Sequence, residues 1–320
     1  MDLIYATDQK EDIGVMKNFT FDLAFGVDEN NFELTVNTNN HVCREGYILY
    51  IEDTEYGGIV DNIRVATASS QLIYGGRTWH GILESKVIEP DPGEDYLVCN
   101  GEANQILGLL LTRMGLSDLF RANSESSGLT VNNYKMNRYV KGYLGIRNML
   151  ETVNGKLKID FQEGFVILSA APLVDYSRDD EFDSSQIDFD VKKNYRHTNH
   201  MICLGKGELA ERQVIHLYAD TAGNISHVQS QFGMDEVTDV YENVNAESDE
   251  ELENGGIKAL KEAWNSDELQ VNFDSTRSYD IGDIVGAREN TTGIFVARPI
   301  AKKIVTIRDN VVVISHKVGE

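Results

Sequence analysis

The side chains of this chain that could do chemistry are its 52 Asp and Glu, seven His and three Cys. Few of them fall at a spacing that a reaction needs. His197-Thr198-Asn199-His200 has the H-x-x-H interval of a metal pair, yet no Glu neighbours it and no strong helical pattern aligns the imidazoles. Gly205-Lys206-Gly207 is not a phosphate loop, because Lys206 is followed by Gly and no glycine precedes it at the required distance; the triplet predicts a hairpin turn. No G-x-S-x-G elbow exists. Cys43, Cys99 and Cys203 lack C-x-x-C spacing and read as buried, reduced thiols. A Cys–His nucleophile is a pairing in space, which spacing alone does not supply.

Carboxylates are the abundant group, and paired carboxylates hydrolyse glycosides. Here they are too dense for that. Asp175 to Asp190 is acidic with only Arg178 opposing, and Asp235 to Glu253 holds nine acids and no Lys or Arg. Such runs repel themselves and do not tune one carboxyl against another. They read as solvated faces or channel linings. Asp235-Glu236 begins no D-x-D-x-D-G calcium series. The expectation is therefore no catalytic residue, no cofactor and no metal.

Composition narrows the partners. The 320 residues carry a formal charge of −23, with 41% hydrophobic and 9% aromatic residues. That is enough apolar surface for packed cores in two or three domains. The acidic balance opposes nucleic-acid binding by counterion release and docking on anionic lipid. The N-terminus shows no secretory signal, and no run approaches the roughly 20 apolar residues of a membrane span. Synthesis and folding in the cytoplasm are expected.

The elements that must position these groups follow from periodicity. Phe19, Phe21, Leu23 and Phe25, then Phe32, Leu34 and Val36, alternate with polar residues around Asp28-Glu29-Asn30-Asn31. Tyr47 to Ile51, Ile59 to Thr67 and Gln71 to Gly75 continue as short strands, which predicts an antiparallel barrel or sandwich. Past Pro90-Asp91-Pro92-Gly93 the period changes. Ala103 to Met114 and Gly142 to Val153 are helical, and Lys156 to Phe161 with Phe165 to Ala170 is a hairpin. Strand patterns return at Met201 to Leu204 and Gln213 to Ala219. Ser248 with Glu251 caps a helix to about Asn265. The last segment is β again: Leu269 to Phe273, Ile284 to Ala287, and Ile294 to Ile307 with Val311 to Ser315 around Arg308-Asp309-Asn310. The fold class is mainly β (α+β), divided as 1–92, 93–184 and 185–320. Trp79 and Trp264 read as packing residues.

One set of motifs has a family likeness. Tyr56-Gly57-Gly58-Ile59-Val60-Asp61-Asn62-Ile63 is followed by Gly76-Arg77-Thr78-Trp79-His80-Gly81-Ile82-Leu83-Glu84 and by Val87-Ile88-Glu89-Pro90. This succession resembles the "G-I-V-D", "G-R-(S/T)-x-x-G-(I/L)-L" and "(V/I)-I-x-P" segments of the phage tail hub family. The likeness runs on through Gly93-Glu94-Asp95-Tyr96-Leu97, and Tyr279-Asp280-Ile281-Gly282-Asp283-Ile284-Val285-Gly286 resembles the family's later strand entry. That family includes hubs of Gram-positive phages, PBSX-like prophages and R-type bacteriocins such as diffocins.

The resemblance implies two tail-tube-like β-barrel domains, at 1–92 and 185–320, with a small α+β domain between them. It implies a homotrimeric ring joining a sixfold tail tube to a threefold central spike, in a baseplate assembled in the host. Tail tube protein, spike protein, other baseplate proteins and a tape measure protein are the implied partners, with no stable nucleic-acid binding and no membrane insertion. Gly57, Gly58, Asp61, Gly76, Arg77, Gly81, Pro90, Gly282 and Asp283 are then structural positions, the glycines serving backbone geometry. Three copies at −23 each would carry −69, an acidic lining past which DNA slides rather than sticks. The alternative is a tail-associated cell-wall hydrolase or a glycan-binding tail-tip protein.

Overall fold

A computed structural model describes residues 1–178, 183–185, 189–246, 248–264, 267–271, 279–308 and 311–319. The calls at Asp179, Asp180, Glu181, Asp188, Glu247, Phe273, Asp309 and Asn310 lie outside the described residues. The chain divides into two compact units. One comprises Met1–Phe189, Gln270–Thr291 and Ala297–Glu320; the other comprises Asp190–Leu269 and Thr292–Val296.

The larger unit opens with seven strands: β1 (Ile4–Ala6), β2 (Asp12–Val15), β3 (Thr20–Gly26), β4 (Asn31–Asn37), β5 (Ile48–Tyr50), β6 (Gly57–Ala66) and β7 (Gln71–Thr78). The alternation read in β4 is realised, since Phe32, Leu34 and Val36 are buried while Asn31, Glu33 and Asn37 face solvent. β1 and β2 carried too few alternating residues to show in the sequence.

Helix α1 (Trp79–Glu84) follows, then β8 (Val87–Ile88), β9 (Leu97–Glu102), α2 (Ala103–Arg113), β10 (Phe120–Ala122), β11 (Thr130–Met136), β12 (Val140–Lys141), α3 (Gly142–Glu151), β13 (Gly155–Gln162) and β14 (Phe165–Pro172). Both long helices lie where the 3.6 period placed them. Gly115, with φ +68, stops the chain just beyond α2, and Glu163-Gly164, both at positive φ, close the β13–β14 hairpin.

After β15 (Phe189–Lys192), the smaller unit holds β16 (His200–Leu204), β17 (Val214–Ala219), β18 (Ile225–Ser226), β19 (Thr238–Glu242) and α4 (Asp249–Trp264), and β20 (Glu268–Val271) follows. The unit's sheet order is β18-β17-β16-β19, with β16 and β19 parallel. The Ser248 hydroxyl accepts the Glu251 N–H at 3.2 Å, so the cap predicted for α4 forms. Helix α4 lies on the sheet through Leu252, Gly256 and Leu260. A Cβ on Gly256 would stand 2.1 Å from the Cys203 sulfur.

The chain then returns to the larger unit with β21 (Ile284–Arg288), β22 (Phe295–Arg308) and β23 (Val311–Val318). Its main sheet has ten strands in the order β2-β1-β5-β6-β7-β4-β3-β22-β21, with β23 on β22. Lys302 to Arg308 pair antiparallel with Gly26 to Thr20, so the first and last stretches of chain share one sheet. Periodicity specifies that a segment is a strand and leaves its partner open. Among the described residues the sheet stays open, with β2 at one end and both β21 and β23 on β22 at the other, and none closes into a barrel as the sequence pattern had suggested.

Among the described residues two large apolar clusters fill this unit, beside a small one of Tyr279, Val285 and Ile300. One gathers α1, α2, α3 and the β13–β14 hairpin around Trp79; the other lies under β3, β4 and β7 around Phe21, Phe25 and Tyr74. Trp79 is fully buried, stacked on Phe161 at 5.5 Å and edge-on to Phe120 at 6.4 Å. Burying such a ring removes about 150–250 Å² from water, worth about 4–6 kcal/mol at about 25 cal/mol per Å². Its Nε1 has no hydrogen-bond partner, which costs about 1–3 kcal/mol. Packing wins at this position.

Candidate functional site

The hub-like motif builds a corner where the sheet delivers the chain to α1. In the β6–β7 ladder Val60 faces Gly76 and Asn62 faces Gly75, so Asp61 is the extra residue of a β-bulge. The bulge turns Asp61 toward Arg77. Arg77 donates from its backbone N (3.0 Å) and Nε (2.8 Å) to Oδ2, and from Nη2 to Oδ1 at 2.8 Å. Its Nη1 reaches the Ser85 hydroxyl at 3.0 Å, just past α1. Partial burial would raise the Asp61 carboxyl, but the Arg77 hydrogen bonds and charge outweigh it and hold Asp61 below the ordinary carboxylate range.

Each glycine of the corner has a spatial reason. A Cβ would stand 2.5 Å from the Trp79 ring at Gly57, 2.1 Å from the Arg77 carbonyl at Gly58, 1.9 Å from the Ile59 carbonyl at Gly76 and 2.1 Å from the Asn30 carbonyl at Gly81. These four positions serve close approach, and of the five motif glycines only Gly282, with φ +96, uses a left-handed backbone. Thr78 caps α1 by accepting the Gly81 N–H at 3.3 Å. Pro90 follows β8, next to the Glu89 carbonyl that accepts from Arg113 Nη1 at 3.0 Å.

The second motif feeds a chain of charges. Asp283 is 1% exposed, and its carboxylate accepts from Lys156 Nζ at 2.7 and 2.8 Å and from the Val174 N–H at 2.9 Å. Lys156 also meets Asp280 at 2.8 Å, and Asp280 lies 3.8 Å from Lys303. Lys303, itself 1% exposed, donates to Glu55 Oε1 at 2.6 Å. The order Glu55–Lys303–Asp280–Lys156–Asp283 ties the β5–β6 turn, β13, the entry to β21 and β22 together. Burial pushes the Glu55 carboxyl up, and the Lys303 charge only partly offsets it. Burial opposes ionised Asp280 too, but the Lys156 bond and the Lys303 charge hold it low.

A recess of about 230 Å³ opens beside this chain, lined by Asp53, Glu55, His80, Asp160, Asp280 and Lys303 among others. Burial raises the Asp160 carboxyl. His80 is pushed down to about 3 by burial and by the Lys303 and Arg147 charges, so its imidazole is neutral; its Nδ1 has no partner. Among the described residues no group of three or more His, Cys, Asp or Glu is arranged to hold a metal.

The sequence-level constellations separate in space. His197 packs on Trp264 at 5.0 Å, whereas His200 bonds Glu236 through Nδ1 (2.7 Å) and His216 through Nε2 (2.8 Å). Gly205-Lys206-Gly207 lies in the β16–β17 connection, with Gln213 N donating to the Lys206 carbonyl at 2.8 Å. The three cysteines are buried and unpaired with one another, and burial pushes the Cys43 thiol up to about 12. The bulge at Asp61 and the buried ion chain were not read from the sequence. The spacing G-x-x-D with G-R sixteen residues later is the one signal that pointed to the first.

No protein family and no curated protein matches this sequence. Solved structures do. The 43 kDa tail protein of prophage MuSo2 from Shewanella oneidensis superposes with a TM-score of 0.57 at 11% identity, covering 100% of this chain and 98% of the other. The tail protein of Neisseria meningitidis MC58 gives 0.53 at 11%, covering 100% and 96%. At this identity the likeness establishes the fold. No helix among the described residues is long and apolar enough to cross a membrane.

Proposed function

We propose that this chain is a structural protein of a phage tail or tail-like particle, acting as the baseplate hub. The observation that carries this reading is the end-to-end likeness to two phage tail proteins, in which nearly the whole of each chain is matched. The corner of β6, β7 and α1 supports it. Asp61, Arg77 and the close-approach glycines hold two elements in a fixed relation and leave no side chain poised for reaction. In this reading three copies form a ring between a sixfold tube and a threefold spike, and the β modules expected at 1–92 and 185–320, joined by β3–β22 pairing, supply its tube-like domains. Tail tube, spike and other baseplate proteins are the partners.

The acidic lining is a narrower matter. On the exposed face of the main sheet, Asp22, Glu33 and Asp61 stand among Arg64, Arg77 and Arg308 in adjoining registers. That face is close to balanced, so an acidic channel would draw its charge from other surfaces.

The test is the symmetry of the purified full chain by light scattering and electron microscopy. A threefold ring with a central channel is expected, burying on the order of 2,000–5,000 Å² per interface. A stable monomer at micromolar concentration, or lysis of purified cell wall that disappears when Glu55 or Asp160 becomes the amide, would overturn it.

A further inference from the structure

With 52 acids in 320 residues, the stretch from 126 to 150 is unusual in holding none, while it carries Lys135, Arg138, Lys141 and Arg147. The backbone keeps these cations close. Lys135 faces Val98 in the β9–β11 ladder, Lys141 faces Val87 in the β8–β12 ladder, and all four side chains are exposed. Asn137-Arg138-Tyr139 joins β11 to β12, and the Gly142 N–H donates to the Lys86 carbonyl at 2.8 Å. Lys141 meets Glu84 at 3.3 Å, whereas among the described residues Lys135, Arg138 and Arg147 form no ion pair. They lie beside tyrosine rings instead: Lys135 at 5.6 Å from Tyr96, Arg138 at 5.5 Å from Tyr139 and Arg147 at 5.6 Å from Tyr143. Tyr96 (48%) and Tyr139 (59%) are exposed, and Tyr139 has φ +53, a left-handed backbone that a bulky residue rarely adopts. Exposed tyrosine interleaved with arginine is the composition of an interface centre.

A complement lies in the same sequence, on the smaller unit. From Asp235 to Glu253 there are nine acids and no Lys or Arg. Asp239, Asp249 and Glu250 are exposed and meet no cation among the described residues, and Val240 (53%) and Val244 (50%) stand exposed between them. Copies carrying −23 each repel as they approach. A contact between copies must therefore set unlike surfaces against each other. The basic tract of the larger unit and the acidic tract of the smaller one are such a pair.

We infer that the basic, tyrosine-bearing tract of β11, β12 and the start of α3 docks on the acidic β19–α4 tract of a second copy. The opposed charges set orientation and rate of encounter, and the tyrosines and valines supply the apolar centre. Two different surfaces meet, so the contact is heterologous, and it closes into a ring when the rotation per copy divides a full turn. Nucleic acid is the weaker occupant for the same tract, because the chain's net charge repels a long polyanion. The inference rests on the ring reading above and names the surfaces that would build it.

The experiment follows assembly of the full chain by light scattering and electron microscopy. K135E/R138E reverses the basic tract, D239K/E250K reverses the acidic one, and K135E/R138E/D239K/E250K exchanges the two. K17E/R44E is the control, making the same change in net charge at exposed cations elsewhere on the larger unit. Circular dichroism with a thermal melt verifies folding. Wild type and K17E/R44E should form the ring, and each reversal should raise the concentration needed for assembly by about tenfold or more. The exchanged chain should regain most of that loss. A second measurement needs no variant: carbodiimide coupling of mixed isotope-labelled and unlabelled wild-type copies should join Lys135 or Lys141 of one copy to an acid of 235–253 in another. Three outcomes would overturn the inference and leave the hub reading standing: rings that K135E/R138E leaves intact, an exchanged chain no better than either reversal, or links between copies that avoid both tracts. The first would assign the basic tract to an acidic protein other than this chain. Binding of a labelled single-stranded oligonucleotide that K135E/R138E abolishes would overturn it in favour of nucleic acid. A monomeric wild type would overturn both readings.

Discussion

The two units are stabilised in opposite ways. The larger one brings backbone against backbone through Gly58, Gly76 and Gly81 and buries an alternating ion chain from Glu55 to Asp283. The smaller one is centred, among the described residues, on a cluster of seven buried apolar residues shared by its sheet and a single α-helix. It carries 16 acids against 7 bases, while the larger carries 36 against 22. Per residue its net negative charge is nearly twice as high. Shape and paired charge fix the first unit; a small core working against repulsion holds the second. A rigid scaffold and a marginal appendage suit different duties in an assembled particle.

The largest expected effect is Gly76→Ala. The added methyl would stand 1.9 Å from the Ile59 carbonyl, a backbone atom that no rotamer change can move. A cost of about 3 kcal/mol or more is expected, at the top of the range for overpacking. Each unit holds one tryptophan, buried Trp79 in the larger and half-buried Trp264 in the smaller. Urea unfolding should therefore show the Trp79 transition moving to lower denaturant while the Trp264 transition stays. If both move equally, the contrast between independent units is wrong.

Lys303→Met comes next. It removes the one cation among the described residues within bonding distance of Glu55, while Asp280 retains Lys156. Breaking a buried pair costs about 3–5 kcal/mol, whereas replacing both partners by neutral groups is near neutral. Lys303→Met with Glu55→Gln should regain most of the loss. The pH dependence has a definite sign. Glu55 is raised in the folded state, so the fold binds its proton more tightly than the unfolded chain, and its contribution falls as pH rises from the ordinary glutamate value through the raised one. Loss of the Lys303 charge raises it further. The single variant should therefore recover part of its stability on acidification, and the double variant should lack that recovery. Chemical denaturation from pH 4.5 to 8 measures it, and a single variant whose deficit is flat with pH would remove Glu55 from the explanation.

Much of this was legible in the sequence, and the reason is local. Helices α2, α3 and α4 and strand β4 declare themselves because each buries one face of its own period. Gly57, Gly58, Gly76 and Gly81 were read as sites of special backbone geometry. Their φ values are ordinary, and the constraint comes from atoms of other strands that a sequence does not place beside them. Lys156 and Lys303 lie in β13 and β22, where a lysine in a strand pattern reads as solvent-facing; their carboxylate partners come from segments about 100 to 250 residues away. The partnership of β3 with β22 was hidden for the same reason. His197 and His200 have the interval of a metal pair and were not read as one; their rings meet different partners, Trp264 for the first and Glu236 with His216 for the second.

The smallest effect separates the units by salt. In the smaller unit Asp239, Asp249 and Glu250 belong to a run with no internal cation; of the pairs that answer it, Arg196–Asp235, Arg212–Glu242 and His227–Glu253 keep at least one member more than half exposed, and His200–Glu236 is more enclosed. Screening shortens the reach of such charges from about 10 Å at 0.1 M salt to about 3 Å at 1 M. Repulsion summed over many exposed acids falls, while the exposed pairs lose only a few tenths of a kcal/mol each. The Trp264 transition should move to higher urea as sodium chloride rises, by about 0.5–1 kcal/mol. The Lys303 and Lys156 pairs of the larger unit are buried and feel little screening, so the Trp79 transition should hold its place. A Trp264 transition that falls with salt would mean that its exposed pairs outweigh its repulsion, and the contrast between the units would then be one of core size alone.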